Sequence, residues 1–128
     1  MSDERLDYLS ADDILEIAAS VLPTLDVRDI GLLESAAGRS RTSAFGRDAY
    51  PSFAEKVAAL IHSLARNHPL ADGNKRLAWS AGRVFCLLNG RDLDLSVDDA
   101  EALIVGAATG ELDVPALAER ISSVVRAD

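Results

Sequence analysis

The chain has 128 residues, of which 48% are hydrophobic, and it carries a formal net charge of −8. This length and composition permit a core without disulfides, so we expect residues 1–128 to form a single domain. The negative charge excludes a broad nucleic-acid-binding face, because affinity for a phosphate backbone comes mainly from clustered Lys and Arg. We therefore expect no direct DNA binding.

Neither a secretory signal nor a membrane span is predicted. No charged-then-apolar segment precedes the first acidic residues, Asp3 and Glu4, and no apolar run approaches the roughly 20 residues that a span needs. The single Cys86 lies among apolar residues and is expected to be a buried thiol. These features predict a soluble, cytoplasmic protein without a membrane partner.

Apolar residues recur at helical spacing almost throughout the chain, which predicts an all-α fold of six helices. Ser10 and Asp13 resemble a capping pair at the start of the first helix, which Pro23 stops. A second, shorter helix is predicted over residues 29–37, ending at Gly38.

Residues 38–50 show no helical stripe and are rich in Gly, Ser and Arg, which predicts one long flexible segment. Its arginines are Arg39, Arg41 and Arg47.

A capping box of Ser52 and Glu55 predicts the start of the third helix. Its apolar face consists of Val57, Leu60, Ile61 and Leu64.

The fourth helix is predicted to begin at Asn74 and to end at Asn89-Gly90. It is strongly apolar, so we expect it to be central, with Trp79 in the core. The fifth helix is predicted from Ser96 to about Gly110, and the sixth starts at Asp113.

The loop before the fourth helix concentrates groups suited to phosphate chemistry. Its sequence is His68-Pro69-Leu70-Ala71-Asp72-Gly73-Asn74-Lys75-Arg76. An imidazole can take a proton near neutral pH, a carboxylate can hold Mg²⁺, and the amides of a helix N-terminus can bind an anion. Lys75 and Arg76 oppose the dipole of the helix that they begin, so they indicate an anionic ligand.

Structural roles compete with this interpretation. Asp72 has an ordinary role as a turn residue or helix N-cap, and His68 as a hydrogen-bonded surface residue. Pro69 disfavours helical geometry at His68 and predicts an extended backbone there. Leu70 is expected to anchor the loop in the core.

This run resembles the signature of the Fic/Doc superfamily, specifically its death-on-curing (Doc) toxin branch. Further similar segments are Ala44-Phe45-Gly46, Ala49-Tyr50-Pro51, Leu87-Leu88-Asn89-Gly90 and Gly106-Ala107-Ala108-Thr109-Gly110. The resemblance implies a compact six-helix domain in which residues 68–76 form the active-site loop. Residues 38–50 then correspond to a flap that aligns the target polypeptide, and its arginines would dock an acidic target.

Two positions of the motif favour the Doc branch. Fic enzymes that transfer AMP usually carry glycine where Lys75 stands and a second arginine where Trp79 stands. The Doc branch has lysine at the first position and no arginine at the second, and it uses ATP in a reversed orientation. The resemblance therefore implies transfer of the γ-phosphate.

The resemblance also implies a role for each site residue. His68 would be the general base, Asp72 would hold Mg²⁺, and Lys75 and Arg76 would neutralise phosphate charge. The remaining nucleotide-binding residues are Gly73 and Asn74, which form an anion nest with the helix amides, and Arg66, which matches a basic residue before the motif. Leu70 and Ser80 depart from the Doc pattern, which has phenylalanine and asparagine there.

The resulting hypothesis is a Doc-like toxin of a toxin–antitoxin system, an ATP- and Mg²⁺-dependent protein kinase that phosphorylates a threonine of translation elongation factor Tu. The expected partner is a Phd-like antitoxin whose disordered tail folds on binding. The alternatives are a Fic-type AMP transferase acting on a protein hydroxyl and a non-catalytic helical binding module.

Overall fold

The computed structural model describes residues 5–128, so Asp3 and Glu4 lie outside the described residues. Six helices account for most of this part of the chain, which confirms the all-α prediction. The helices are α1 (Ala11–Val21), α2 (Ile30–Arg39), α3 (Phe53–Asn67), α4 (Asn74–Leu88), α5 (Val97–Thr109) and α6 (Val114–Val124). The short strands are β1 (Ser43–Ala44), β2 (Arg47–Asp48), β3 (Arg91–Leu93) and β4 (Val125–Ala127).

Side-chain caps set the helix starts as the sequence predicts. Ser10 and Asp13 form a reciprocal capping box on α1, and Ser52 and Glu55 form another on α3. Asp29, Ser96 and Asp113 cap α2, α5 and α6 by accepting a backbone N–H from the first turn. Local chemistry therefore fixes five of the six helix starts.

Helix α3, rather than α4, occupies the centre of the fold, contrary to the prediction. It packs against α2, α4, α5 and α6, whereas α4 packs against α1, α3, α5 and β3. Its predicted apolar face is fully inside the core. Helix α4 instead leaves one side open, where Leu88 is 50% exposed and Trp79 is only partly buried.

Two strand pairs were not predicted. Strands β1 and β2 form an antiparallel hairpin inside the flap segment, and β3 pairs with β4 at the C-terminal end of the described chain. Helix α2 extends to Arg39, beyond the predicted stop. No helix in the described part of the chain is long and apolar enough to cross a membrane.

Cys86 is fully buried, as predicted. Burial raises the pKa of its thiol to about 12, so the neutral form persists at physiological pH.

Candidate active site

The loop between α3 and α4 is fixed by the connection between α1 and α2. The carbonyl of Pro69 accepts hydrogen bonds from the N–H groups of Arg28 and Asp29, at 2.9 and 3.0 Å. The N–H of Ala71 donates to the carbonyl of Asp26 at 3.0 Å. The side chain of Leu70 is fully buried, which confirms its predicted anchoring role. Residues 69–71, the central part of the loop, are thus fixed to the rest of the fold.

His68 ends α3 in a left-handed conformation, with φ 54° and ψ 62°. The predicted extended backbone is wrong here: left-handed geometry is common just after a helix, and the bonds to Pro69 hold the next residue in place. This geometry turns the chain sharply and leaves the His68 side chain exposed. The imidazole is therefore accessible to a substrate.

The Asn74 side chain closes the loop from inside. Its Oδ1 accepts from the N–H of Leu70 and its Nδ2 donates to the carbonyl of Leu70, both at 2.9 Å. Nδ2 also lies 3.5 Å from Nδ1 of His68, a distance that orients the ring only weakly. Asn74 is 8% exposed. Any anion nest at this position must therefore be formed by backbone amides rather than by this side chain.

Gly73, not Asp72, is the N-cap of α4. Its φ of 87° is the left-handed conformation predicted for it. This positive φ favours glycine, and a Cβ there would also lie 2.6 Å from a methyl group of Leu22, which would have to move. Asp72 is exposed, and its Oδ1 accepts from the N–H of Gly73 at 2.9 Å.

The two cations of the loop differ in their surroundings. Lys75 and Arg76 are both exposed on the first turn of α4. Arg76 donates to the carbonyl of Val21 over a long 3.4 Å, which positions its guanidinium near the end of α1. The first amides of a helix have no intrahelical acceptor, so this turn combines free N–H groups with two positive side chains.

Arg66, the other predicted nucleotide-binding residue, is directed toward the end of α5. Its Nη1 donates to the carbonyl of Ala108 at 3.3 Å. A Cβ on Gly110 would lie 3.2 Å from its guanidinium carbon. In this structure Arg66 therefore joins α3 to α5.

The flap segment is tied to α3 at its base. Arg39 donates from Nε to the hydroxyl of Tyr50 and from Nη1 to that of Ser63, both at 3.0 Å. Nη1 also lies 3.1 Å from Nδ1 of His62, an arrangement that requires this nitrogen to accept. Arg39 is therefore unavailable for the predicted docking of an acidic target.

The two arms of the flap, on either side of the β1–β2 turn, are held by a buried cation that was not predicted. Lys56 is 3% exposed, and its Nζ lies 3.1 Å from Oδ2 of Asp48 and 3.4 Å from the carbonyl of Ser40. The turn between β1 and β2 carries Phe45, which is fully exposed at a positive φ of 54°.

Comparison with known proteins agrees with this architecture. The chain matches the Fic/DOC family over residues 8–86, a stretch that begins before α1 and includes the loop and most of α4. This chain belongs to the Fic/DOC family. It is also 42% identical over 124 residues to the protein named Toxin Doc from Mycolicibacterium smegmatis (strain ATCC 700084 / mc(2)155), covering 94% of this chain and 95% of that protein.

The loop between α3 and α4 carries one acidic side chain, that of Asp72. No group of three or more His, Cys, Asp or Glu side chains in residues 5–128 is arranged to hold a metal ion. Mg²⁺ is commonly held by one or two carboxylates together with substrate phosphates, so a single aspartate is compatible with Mg²⁺ that arrives with a nucleotide.

Proposed function

We propose that this protein is a Doc-like toxin of a toxin–antitoxin system and that it transfers the γ-phosphate of ATP to a threonine hydroxyl of translation elongation factor Tu. Membership of the Fic/DOC family and the similarity to Toxin Doc support the toxin assignment. The observation that carries the kinase assignment is Lys75, a cation on the exposed first turn of α4 at the position where Fic enzymes that transfer AMP usually carry glycine.

In this proposal His68 accepts the proton of the threonine hydroxyl. The hydroxyl oxygen then forms a bond to the γ-phosphorus, the bond from that phosphorus to the β–γ bridging oxygen breaks, and ADP leaves. Lys75, Arg76 and the first amides of α4 stabilise the phosphate charge. Asp72 would hold Mg²⁺, which would neutralise further phosphate charge. Asn74 maintains the loop geometry that presents His68.

The flap segment would align the target polypeptide beside His68. The ties from Arg39 and Lys56 hold both ends of the hairpin against α3, the helix that ends at His68. A hairpin held in this way can orient an extended substrate with little loss of its own conformational freedom.

We also propose a Phd-like antitoxin as the physiological partner and the cytoplasm, where the target works, as the location. A disordered antitoxin tail that folds on this domain would block growth arrest by mass action. Co-expression of the antitoxin is expected to restore growth.

The test is to incubate the protein with Mg²⁺, elongation factor Tu and ATP labelled at either the γ- or the α-phosphate. We expect label from the γ-phosphate alone, and a loss of about 10²–10⁴-fold in His68→Ala. His62→Gln is the matched control, because His62 is the other histidine of the chain and contacts Arg39 rather than the loop. Label from the α-phosphate would instead establish AMP transfer.

Two further outcomes would contradict the proposal. Absence of label from both nucleotides would exclude elongation factor Tu as the target under these conditions. Equal growth arrest by the wild type and His68→Ala would exclude a catalytic toxin and favour a non-catalytic binding module.

A further inference from the structure

A groove of about 890 Å³ lies between α4 and α5 and begins at the proposed phosphate site. We call it the α4–α5 groove. Helix α4 lines it with Lys75, Arg76 and Trp79, and α5 contributes the exposed apolar residues Val97 and Val105. The groove is therefore cationic at the end nearest the loop, and its α5 wall is apolar apart from Ser96 and Glu101.

We propose that the α4–α5 groove binds the nucleoside half of ATP and that Trp79 provides the aromatic surface for the base. This proposal rests on the proposed function, because it takes Lys75 and Arg76 as ligands of the polyphosphate. A triphosphate held by these cations with its γ-phosphate toward His68 leaves the nucleoside to extend away from the loop. The α4–α5 groove extends from these same two cations, so it can receive the nucleoside.

The spacing of residues along α4 fits a nucleotide. Lys75, Trp79 and Arg83 are four residues apart, so they share one face of the helix. From Lys75 to Arg83 the helix rises about 12 Å. The groove volume also lies within the range of about 300–1,000 Å³ that is usual for sites of small ligands and cofactors.

Charge distinguishes this groove from the one on the other side of Trp79. A groove of about 680 Å³ between α1 and α4 also has Trp79 and Arg83 in its wall, but Asp13 and Glu16 line it as well. Arg83 is paired with Asp92 at 3.0 Å, so it offers little free positive charge to either groove. The two carboxylates of α1 would repel a polyphosphate. In the α4–α5 groove Lys75 and Arg76 outnumber the single carboxylate, that of Glu101, so the balance of charge there favours an anion.

Trp79 is the one tryptophan of the chain, so its fluorescence reports directly on the groove. We expect Mg²⁺-ATP to change this fluorescence, and calorimetry to show ATP binding about ten-fold weaker in Trp79→Leu. Trp79→Phe keeps an aromatic face and is expected to remain close to the wild type. Affinity for inorganic tripolyphosphate should be the same in all three proteins, because that ligand uses only the cations.

A second pair of variants tests the position of the nucleoside without altering Trp79. Val105→Glu places a carboxylate in the α4–α5 groove and is expected to weaken ATP binding about ten-fold. Leu88→Glu places the same charge on an exposed helical position in the α1–α4 groove, 50% exposed against 40% for Val105, and should leave ATP affinity unchanged.

The outcomes separate this proposal from the proposed function. Unchanged ATP affinity in both Trp79→Leu and Val105→Glu, with γ-phosphate transfer intact in the wild type, would overturn the subsite and leave the kinase standing. Weakening by Leu88→Glu alone would move the nucleoside to the α1–α4 groove and overturn it as well. A wild-type protein that binds no ATP would overturn both proposals.

Discussion

Asn74 connects the chemistry of the loop to its stability. Both polar atoms of its side chain bond the backbone of Leu70, and the residue is almost fully buried. A buried amide with both partners satisfied is favourable only as long as neither partner is lost. The side chain therefore holds closed the loop that begins with His68, and its effect on activity is indirect.

Replacing Asn74 with Asp keeps an acceptor for Leu70 N–H but places a carboxylate oxygen against the carbonyl of Leu70. We expect Asn74→Asp to lower the free energy of unfolding by about 1–3 kcal/mol, because a buried acceptor loses its donor. Urea denaturation measures this change. Asn67→Asp is the control, since the same exchange occurs at an exposed position. Equal stability of the two variants would show that the Leu70 bonds do not stabilise the loop.

The sequence identifies the residues of the loop, but it does not predict the backbone conformation that presents them. The motif identifies His68, Asp72, Lys75 and Arg76, and the structure leaves all four side chains exposed around one loop. The left-handed backbone at His68 depends on hydrogen bonds from Arg28 and Asp29, about 40 residues away in the chain, to the residue that follows it. The preference of a residue before proline for extended geometry is local, so it could not predict the effect of these distant hydrogen bonds.

The flap is held by contacts between elements that are distant in sequence, and local sequence patterns do not predict them. Its composition predicts flexibility, yet the buried ammonium of Lys56 holds Asp48 and the backbone of Ser40. An ammonium group removed from water is tolerated only with such partners, so the hairpin and α3 constrain each other. Capping boxes were predicted correctly because their partners are three residues apart, whereas the β3–β4 pair joins residues more than 30 positions apart.

The base of the flap is expected to respond to pH through His62. Burial, and then the neighbouring Arg39 and Arg66, lower the pKa of this imidazole, while Asp113 opposes them more weakly. A histidine whose pKa is lower in the folded state binds protons more readily when unfolded, so its protonation favours unfolding. Its destabilising effect therefore grows as the pH falls below about 6.5 and levels off below the folded-state pKa.

We expect the free energy of unfolding of the wild type to decrease over this acidic range, and that of His62→Gln to decrease less. Glutamine keeps an acceptor for Arg39 but does not titrate. Urea denaturation at several pH values from about 5 to 8 measures the difference, in which the other titrating groups cancel. Parallel pH profiles for the two proteins would show that His62 does not couple protonation to folding.

For the whole molecule, the most important packing contact is the one between α3 and α4, because these helices flank the loop. Helix α3 ends at His68 and α4 begins at Asn74, so the packing of these two helices sets the position of His68 relative to Lys75. The sequence predicts both helices but not which is central, because an apolar stripe does not reveal how many neighbours cover it. The half-open α4 leaves Trp79 at a groove instead of in the core.

Gly82 permits the close approach of these helices. A Cβ at this position would lie 2.7 Å from Cδ1 and Cγ1 of Ile61, which is fully buried and has no room to move. Alanine favours a helix over glycine by about 1 kcal/mol, but an extra methyl group in a filled core costs about 1–3 kcal/mol. We expect the second effect to dominate, so that Gly82→Ala lowers the melting temperature.

Gly38→Ala is the matched control, because Gly38 is also helical but a Cβ there would meet no atom of a neighbouring element within 4 Å. There the gain in helix propensity is unopposed, and we expect a stabilisation of up to about 1 kcal/mol. The two substitutions should thus shift the melting temperature in opposite directions. Gly82→Ala should in addition reduce phosphoryl transfer more than Gly38→Ala, because it displaces α4 from α3 and so Lys75 from His68. Stabilisation by both substitutions would show that α3 and α4 have space between them, contrary to the packing described.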